Sequence, residues 1–481
     1  MMGNMVSDIL DPRRWGIPSE AIESLGGRLQ GFWSRFRDCF KTKTRDSSAH
    51  AWTYLRGLLE LDTDRNYANV ARSVNDPDDD GQKVQHFMSD SPWQAQKPIR
   101  RVQDEIEATP ELCTGSVLLL DESPDEKAGP ESAGAGRQHN GRLGKIEMSQ
   151  VGVFLAIYNG RVWTWIDGEL YLPAHWFTPE MAEMRQKVGV PVDRVFATKI
   201  ELGWQMIQRV EENGVPFEAV ACDDLYGRSA PFRHRMAQAG IIYMADVPEN
   251  TQVYLQRPDP ETSGEPPASQ NESENHPVEV RHITTLSDTH FTDIFVRNTE
   301  RGELCDPFAM RRVWTAHAGI VTEEWLVIRH ENHQRYSYAL CNAAADTSYD
   351  YLAWLKCARH FVERSNQESK SEMGWDDFQA RKYRAWEHNL AMTILASWFI
   401  AQTKMEWSLA YRPDPDLTQE LNVNVLPALS VANVRVLLQA VMPLPHLSPV
   451  QAQRLVVKHL FRRARSTRSR LQRQRRNRAP T

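Results

Sequence analysis

The sequence predicts a mixed α/β protein, and three observations carry that prediction. Apolar residues recur at helical spacing over roughly the first hundred positions, short apolar strands alternate with helices over 115–245, and long helical patterns return after residue 351. At 481 residues, 41% of them hydrophobic, the chain has apolar mass for two or three domains, each able to bury a core. No run of about 18 uncharged apolar residues occurs, and the first fourteen residues lack the order of a signal peptide, so a cytoplasmic protein with no membrane association is expected. Six scattered cysteines show no zinc-ligand spacing, which argues against both structural zinc and a disulfide framework.

Taken in order, the first unit (1–110) reads as all-helical. Trp33, Phe36 and Phe40, then Trp52, Leu55, Leu58 and Leu59, recur at helical intervals, and 66–74 and 82–106 continue the pattern with turn formers between Ser89 and Pro98. The second unit (111–250) opens on the strand Ser116-Val117-Leu118-Leu119-Leu120. Strands at 151–158 and 161–166 follow, joined by Asn159-Gly160, the strongest hairpin signal in the chain. A helix at 198–213, a strand at 217–222, a helix ending near Gly240 and a strand at 241–244 complete it. Three strands, helix, strand, helix, strand is the order of an RNase H-like sheet, mixed rather than purely parallel.

Residues 251–347 read as a β-rich insertion. It starts with a flexible loop at 257–278, rich in Pro, Glu, Ser and Asn, and continues in strands near 294–296, 312–316, 325–329 and 336–340. Helices resume over 348–410, completing the interrupted core, and 411–481 reads as a helical region, with an amphipathic stretch at 431–440, ending in a basic tail. That tail holds eleven Lys and Arg and no Asp or Glu over 454–481, whereas the whole chain carries a net charge of −6. A like-charged block of this kind serves as an arm for a polyanion or as a solubilising tail. The overall pI of 6.2 is no obstacle to binding a polyanion, because counterion release depends on the local basic footprint.

Two of the apolar runs each lead to an aspartate, Asp121 and Asp223. Ligands in open α/β sheets collect where strands end, so the pair are candidate cation ligands as well as candidate turn formers. Asp224 competes with Asp223, since side chains alternate and only one of the two points into a site. Downstream, on a helix advancing 100° per residue, Lys356, Arg359, Glu363 and Lys370 share one narrow face, three bases around one acid. A solvated helix carries such a stripe by chance, but the apolar surround of Leu352, Leu355, Phe361 and Val362 predicts packing. Asp121, Asp223 and Glu363 together are raw material for a divalent-metal site, and two hard cations about 3.5–4 Å apart are a standard device for attacking a phosphodiester.

The spacing Arg359-x3-Glu363-x6-Lys370, Asp121-Glu122-Ser123, and Asp223-Asp224-Leu225-Tyr226-Gly227 are similar to the three signature blocks of the bacterial insertion-sequence DDE transposases. These are the cut-and-paste group with a Y-R-E-K signature and a β insertion in an RNase H-like core. Lys127, Ser132, Gly136-Arg137-Gln138-His139, Gly141-Arg142-Leu143-Gly144-Lys145 and Gln150 resemble the loop after the first aspartate in one subgroup. The likeness spans roughly 52–440; the tyrosine of the signature is Lys356 here, and a usual Lys-Lys-Gly run is thinned to Glu126-Lys127-Ala128-Gly129.

The resemblance settles the tie in favour of Asp223. It implies that Asp121, Asp223 and Glu363 are catalytic and hold two Mg²⁺ ions, for which Mn²⁺ substitutes. Arg359, Lys370, Lys356, Lys127 and Arg137 would contact DNA phosphates. Its partner is double-stranded DNA, both terminal inverted repeats and target, bound as a homodimer; the 1–110 helical unit either binds the DNA ends or only packs on the catalytic core. Trp314 or Trp325 would stack an unpaired base or, alternatively, fill the β core. Competing readings are a nuclease on the same scaffold without strand transfer and a domesticated, non-catalytic DNA-binding regulator. A glycosidase with paired carboxylates explains neither the basic helix face nor the tail.

Overall fold

The computed structural model describes residues 9–444 apart from 63, 141–143, 260–275 and 301, together with scattered positions between 448 and 472. Most of the basic tail, and most of the loop expected at 257–278, therefore lie outside the described residues. Among the described residues no helix is long and apolar enough to cross a membrane.

Five helices open the chain: α1 (Ser19–Phe36), α2 (Ser48–Glu60), α3 (Tyr67–Val74), α4 (Gln82–Ser89) and α5 (Gln96–Glu107). Their apolar stripes, Leu25, Leu29, Phe32 and Phe36 on α1 and Tyr54, Leu55, Leu58 and Leu59 on α2, are buried, as the helical spacing predicts. The sheet then forms from β1 (Val117–Glu126), β2 (Gly136–Asn140), β3 (Lys145–Tyr158), β4 (Trp163–Tyr171), β5 (Ala219–Cys222) and β6 (Ile242–Val247). It is joined by β9 (Thr292–Thr299), β10 (Gly302–His317), β11 (Ile320–Glu331) and β12 (Arg335–Cys341), while β7 (Gln252–Val253) and β8 (Val278–Glu279) make a separate pair. The strand order is β2-β3-β1-β5-β6-β12-β11-β10-β9, with β4 on β3. β5 runs parallel to β1 and β6, and the other pairings of this sheet are antiparallel. This is a large mixed sheet flanked by N-terminal and C-terminal helices. The strands expected as an insertion extend it, because β12 pairs directly with β6.

The helices α6 (Lys199–Glu212) and α7 (Ala230–Gln238) connect β4, β5 and β6, and α8 (Tyr349–Ala358), α9 (His360–Ser371), α10 (Tyr383–Ala410) and α11 (Val431–Val441) follow the last strand. α6 starts on a capping box between Thr198 and Glu201. Its Gly203 lets the helix approach Leu120, whose side chain lies 2.7 Å from where a Cβ would sit. Because side chains alternate along β1, Leu120 facing α6 puts Asp121 on the opposite face, toward α8 and α9. On that face Phe154 stacks on Trp165 at 4.0 Å between ring centres, and Trp375 meets both rings edge-on. The long α10 is buried for most of its length and carries the N-terminal helices: Tyr54 Oη donates to Asn389 at 2.9 Å.

The helix predicted to run through Arg359 is two helices. α8 stops at Ala358 and α9 begins at His360, with Arg359 at the junction, so Lys356 and Lys370 do not share one continuous face.

Strands β10 and β11 are tied to β6 and α7 by a buried charge. Glu324 of β11, fully buried, accepts from Arg233 Nε of α7 at 3.1 Å, from Tyr243 Oη of β6 at 2.6 Å and from Thr315 Oγ1 of β10 at 2.5 Å. Arg233 also donates to the Gly227 carbonyl, which ties this network to the turn after Asp223. Removing one partner of such a pair strands the other charge in the interior. Glu324→Ala is expected to lower unfolding free energy by ~3–5 kcal/mol, measured by urea denaturation.

Candidate active site

The parallel rungs of the sheet end in register. Leu120 of β1 pairs with Cys222 of β5, and Cys222 pairs with Ala245 of β6. One residue further along each chain stand Asp121, Asp223 and Asp246, a row of three aspartates across three neighbouring strands. β5 stops at Cys222, where Asp223 turns to cap a short helix (Asp224–Gly227) by accepting from the Leu225 N–H at 3.0 Å. β1, by contrast, continues to Glu126 against β3. Asp121 therefore lies mid-strand, not at a strand tip as the sequence suggests; what ends beside it is its parallel neighbour.

The open edge left by β5 lets both faces of β1 converge. Asp121, Glu122 and Asp223 each offer an oxygen within 4.8 Å of the others. Two of the three predicted acids are thus brought together, and Glu122, which sequence reasoning passed over, joins them from the α6 side. Glu122 Oε1 pairs with Lys199 Nζ at 3.0 Å, while its Oε2 is buried with no hydrogen-bond partner. Glu363 stands outside this group: it is 53% exposed and accepts from Arg359 Nη2 at 3.1 Å.

Arg359 links the parts. Its Nε meets Asp246 Oδ2 at 2.9 Å and its Nη2 reaches Glu363. Burial opposes its charge, but Asp246, Asp121, Glu363 and Asp223 outweigh that and push its pKa up. Asp246, the second residue missed in the sequence, also takes Lys356 Nζ at 2.7 Å. Lys356 is 6% exposed, so the expectation that it contacts phosphate does not hold in this arrangement; its charge is spent inside the protein. Lys370 is likewise committed, donating to the Pro124 carbonyl at 2.8 Å and pairing with Asp125 at 3.1 Å, which fastens α9 to β1. Lys127 is half-buried 6.0 Å over the Phe378 ring, and burial lowers its pKa. Arg137 is exposed on β2. Trp325 is buried, donates to the Ala344 carbonyl at 3.1 Å and is covered by Arg312, which corrects the base-stacking expectation in favour of core. Trp314 is half-buried, and its backbone pairs with Tyr254.

Burial first, then Asp223, pushes the Asp121 pKa well up, with Arg359 opposing. Burial first, then Glu122, raises Asp223 to about 7, again against Arg359. Tyr226 is fully buried and its hydroxyl has no hydrogen-bond partner among the described residues; burial first, then the charges of Glu122, Asp223 and Asp121, push its pKa well up. Oxygen donors crowded against their own repulsion, with orphaned polar atoms beside them, fit a hard divalent cation such as Mg²⁺.

A cluster of carboxylates beside the stop of β5, on a mixed sheet, is a donor set suited to a divalent cation. The family described as DDE superfamily endonuclease matches residues 35–303, more than half of the chain, and the chain belongs to it. The matched stretch includes Asp121, Glu122 and Asp223 and ends before Arg359, Glu363 and Lys370. The chain is also similar to the probable transposase for insertion sequence element IS701 of Microchaete diplosiphon, 23% identical over 313 residues that cover 63% of this chain and 70% of that protein.

Two expectations follow. A Cβ on Gly227 would lie 1.8 Å from the Asp246 carbonyl oxygen. Gly227→Ala therefore displaces the turn after Asp223 from β6 and is expected to cost ~3 kcal/mol or more in urea denaturation. Asp223 titrates near 7 in the folded chain and near 3.9 unfolded, so the fold holds a proton that the unfolded chain has lost. Its contribution is fully present below about pH 4 and is lost as pH rises through 7. The melting temperature of metal-free protein is expected to fall across that window, Asp223→Asn to flatten the fall, and Mn²⁺ to reverse it.

Proposed function

We propose that this chain is a DNA transposase that cuts at terminal inverted repeats and joins the freed ends to target DNA. In this reading the large sheet is an RNase H-like core. Residues 111–250 and 348–410 form its two parts, 251–347 is the β insertion, 1–110 is the end-binding unit, and 411–481 is the helical, basic terminus. The observation that carries the proposal is the stop of β5 in register with β1, beside which Asp121 and Asp223 offer oxygens within 4.8 Å of each other in a chain of the DDE superfamily.

Asp121 and Asp223 would hold the divalent cations, two Mg²⁺ ions or Mn²⁺ in their place, with Glu363 entering from α9. Bound there, the cations supply an activated oxygen nucleophile and charge stabilisation of the leaving oxygen. Everything else falls to the protein. Arg359 presents a planar fork beside the acids, and an incoming phosphate competes with Glu363 for its outer N–H groups. A phosphate that takes them frees Glu363 to turn toward Asp121 and Asp223. Lys127 and Arg137 would serve as further phosphate contacts, and a homodimer would place one such centre at each DNA end.

Double-stranded DNA bearing the native flanking ends tests the reading. Mg²⁺-dependent cleavage is expected, and joining of pre-cut ends to target DNA is expected in the same mixture. Glu363→Gln should lower cleavage by more than ~10²-fold, the scale on which losing one partner of a developing charge acts, while end binding persists. Cleavage without joining would leave a nuclease, and end binding indifferent to Glu363→Gln would leave a DNA-binding regulator.

A further inference from the structure

We propose that Glu122 is a resident ligand of the cation shared by Asp121 and Asp223, preset by Lys199 and supplied from the face of the sheet opposite Arg359. The inference rests on the reading of this acidic cluster as the nuclease centre.

Glu122 occupies the middle of Asp121-Glu122-Ser123, a position at which strand alternation alone turns a side chain away from Asp121. The chain arrangement overrides that separation. Beyond Cys222 no β5 residue fills the space next to β1, and the Glu122 carboxylate reaches within 4.8 Å of both aspartates. An ordinary ion pair with Lys199 does not account for this. Only Oε1 engages Lys199; Oε2 is buried, has no hydrogen-bond partner and belongs to a carboxylate held against two others. Lys199 itself is the first residue of α6, where the helix dipole disfavours a cation, so its placement there is not explained by helix stability.

A second, independent observation points to a ligand at the same spot. Tyr226 is fully buried, its hydroxyl donates to no protein atom, and the charged groups acting on it are Glu122, Asp223 and Asp121. Tyr226 and Leu120 both crowd Gly203 of α6, the side from which Glu122 approaches, and a buried donor there without an acceptor suits an oxygen that arrives with the cation, such as a coordinated water. Glu122 is thus one of the ligands present before DNA binds, while Glu363 remains on Arg359.

Mn²⁺ titration of the full-length protein, read by the electron paramagnetic resonance of free ion, tests this without relying on catalysis. Glu122→Gln is expected to weaken the tightest site 10- to 100-fold, with Glu363→Gln weakening that site less. Removing the Glu122 charge also weakens the general pull on a nearby cation, so Glu122→Asp, which keeps the charge but withdraws its oxygens, is read beside it and is expected to weaken the same site. Lys199→Met keeps the carboxylate and breaks the pair, and it is expected to cost less than Glu122→Gln. If it costs as much, the ion pair is structural and the proposal falls. Unchanged Mn²⁺ affinity in Glu122→Gln, with affinity lost in Asp223→Asn, also overturns the role of Glu122 while the centre stands. Unchanged affinity in both Asp121→Asn and Asp223→Asn overturns the centre itself. Should Glu122→Gln fail to fold, Glu122→Asp carries the same comparison.

Discussion

Three parallel strands held in register, of which the middle one stops at Cys222, position the acidic groups of this protein. The pairs Leu120 with Cys222 and Cys222 with Ala245 fix the relative height of β1, β5 and β6, and the next residue on each is an aspartate. Held by backbone hydrogen bonds, Asp121, Asp223 and Asp246 cannot relax apart as three side chains on loops would. The cost of that confinement is visible in the raised pKa values of the first two. Their register is set by buried apolar residues, Val117 to Leu120 on one strand and Ala219 to Cys222 on another, so sheet packing does the electrostatic positioning.

The three aspartates are treated differently, and that difference separates support from site. Asp246 carries both Lys356 and Arg359 and is neutralised. It anchors the junction of α8 and α9, and its own carbonyl presses so closely on Gly227 that no side chain fits there. The turn that holds Asp223 is thus packed against the residue that holds Arg359. Glu324 extends the same support outward: through Arg233 it reaches the Gly227 carbonyl, and through Tyr243 and Thr315 it fastens the strands that follow β6.

Much of this was legible in the sequence because the relevant elements are dense in apolar residues. The β1 and β5 runs and the Asn159-Gly160 turn each carry a local signal that no tertiary contact overrides. Three features carried none. Nothing in Cys357-Ala358-Arg359-His360 marks a helix break: it holds neither glycine nor proline, and the break reflects Arg359 being drawn to Asp246. Lys356 and Lys370 read as a basic stripe because sequence shows charge but not its partner; their partners, Asp246 and Asp125, lie on strands far away along the chain. Glu122 was hidden by strand alternation, which holds only while neighbouring strands run alongside, and here one neighbour stops.

The balance of charge around the row argues for the kind of ligand it takes. Asp121, Glu122, Asp223, Asp246 and Glu363 are five carboxylates, and Lys199, Lys356 and Arg359 are the three cations paired with members of that set. When all are ionised, two negative charges are left over. They fall on Asp121 and Asp223, which have no ion pair of their own and gain only distant relief from Arg359. Leaving such an excess half-buried is unfavourable, and burial and mutual repulsion accordingly push both pKa values up. A single divalent cation cancels it outright, whereas a basic side chain would have to displace an existing pair. The site is therefore complementary to a small doubly charged ion before any nucleic acid arrives, and an anionic phosphate meets less repulsion there once that ion has cancelled the local negative charge.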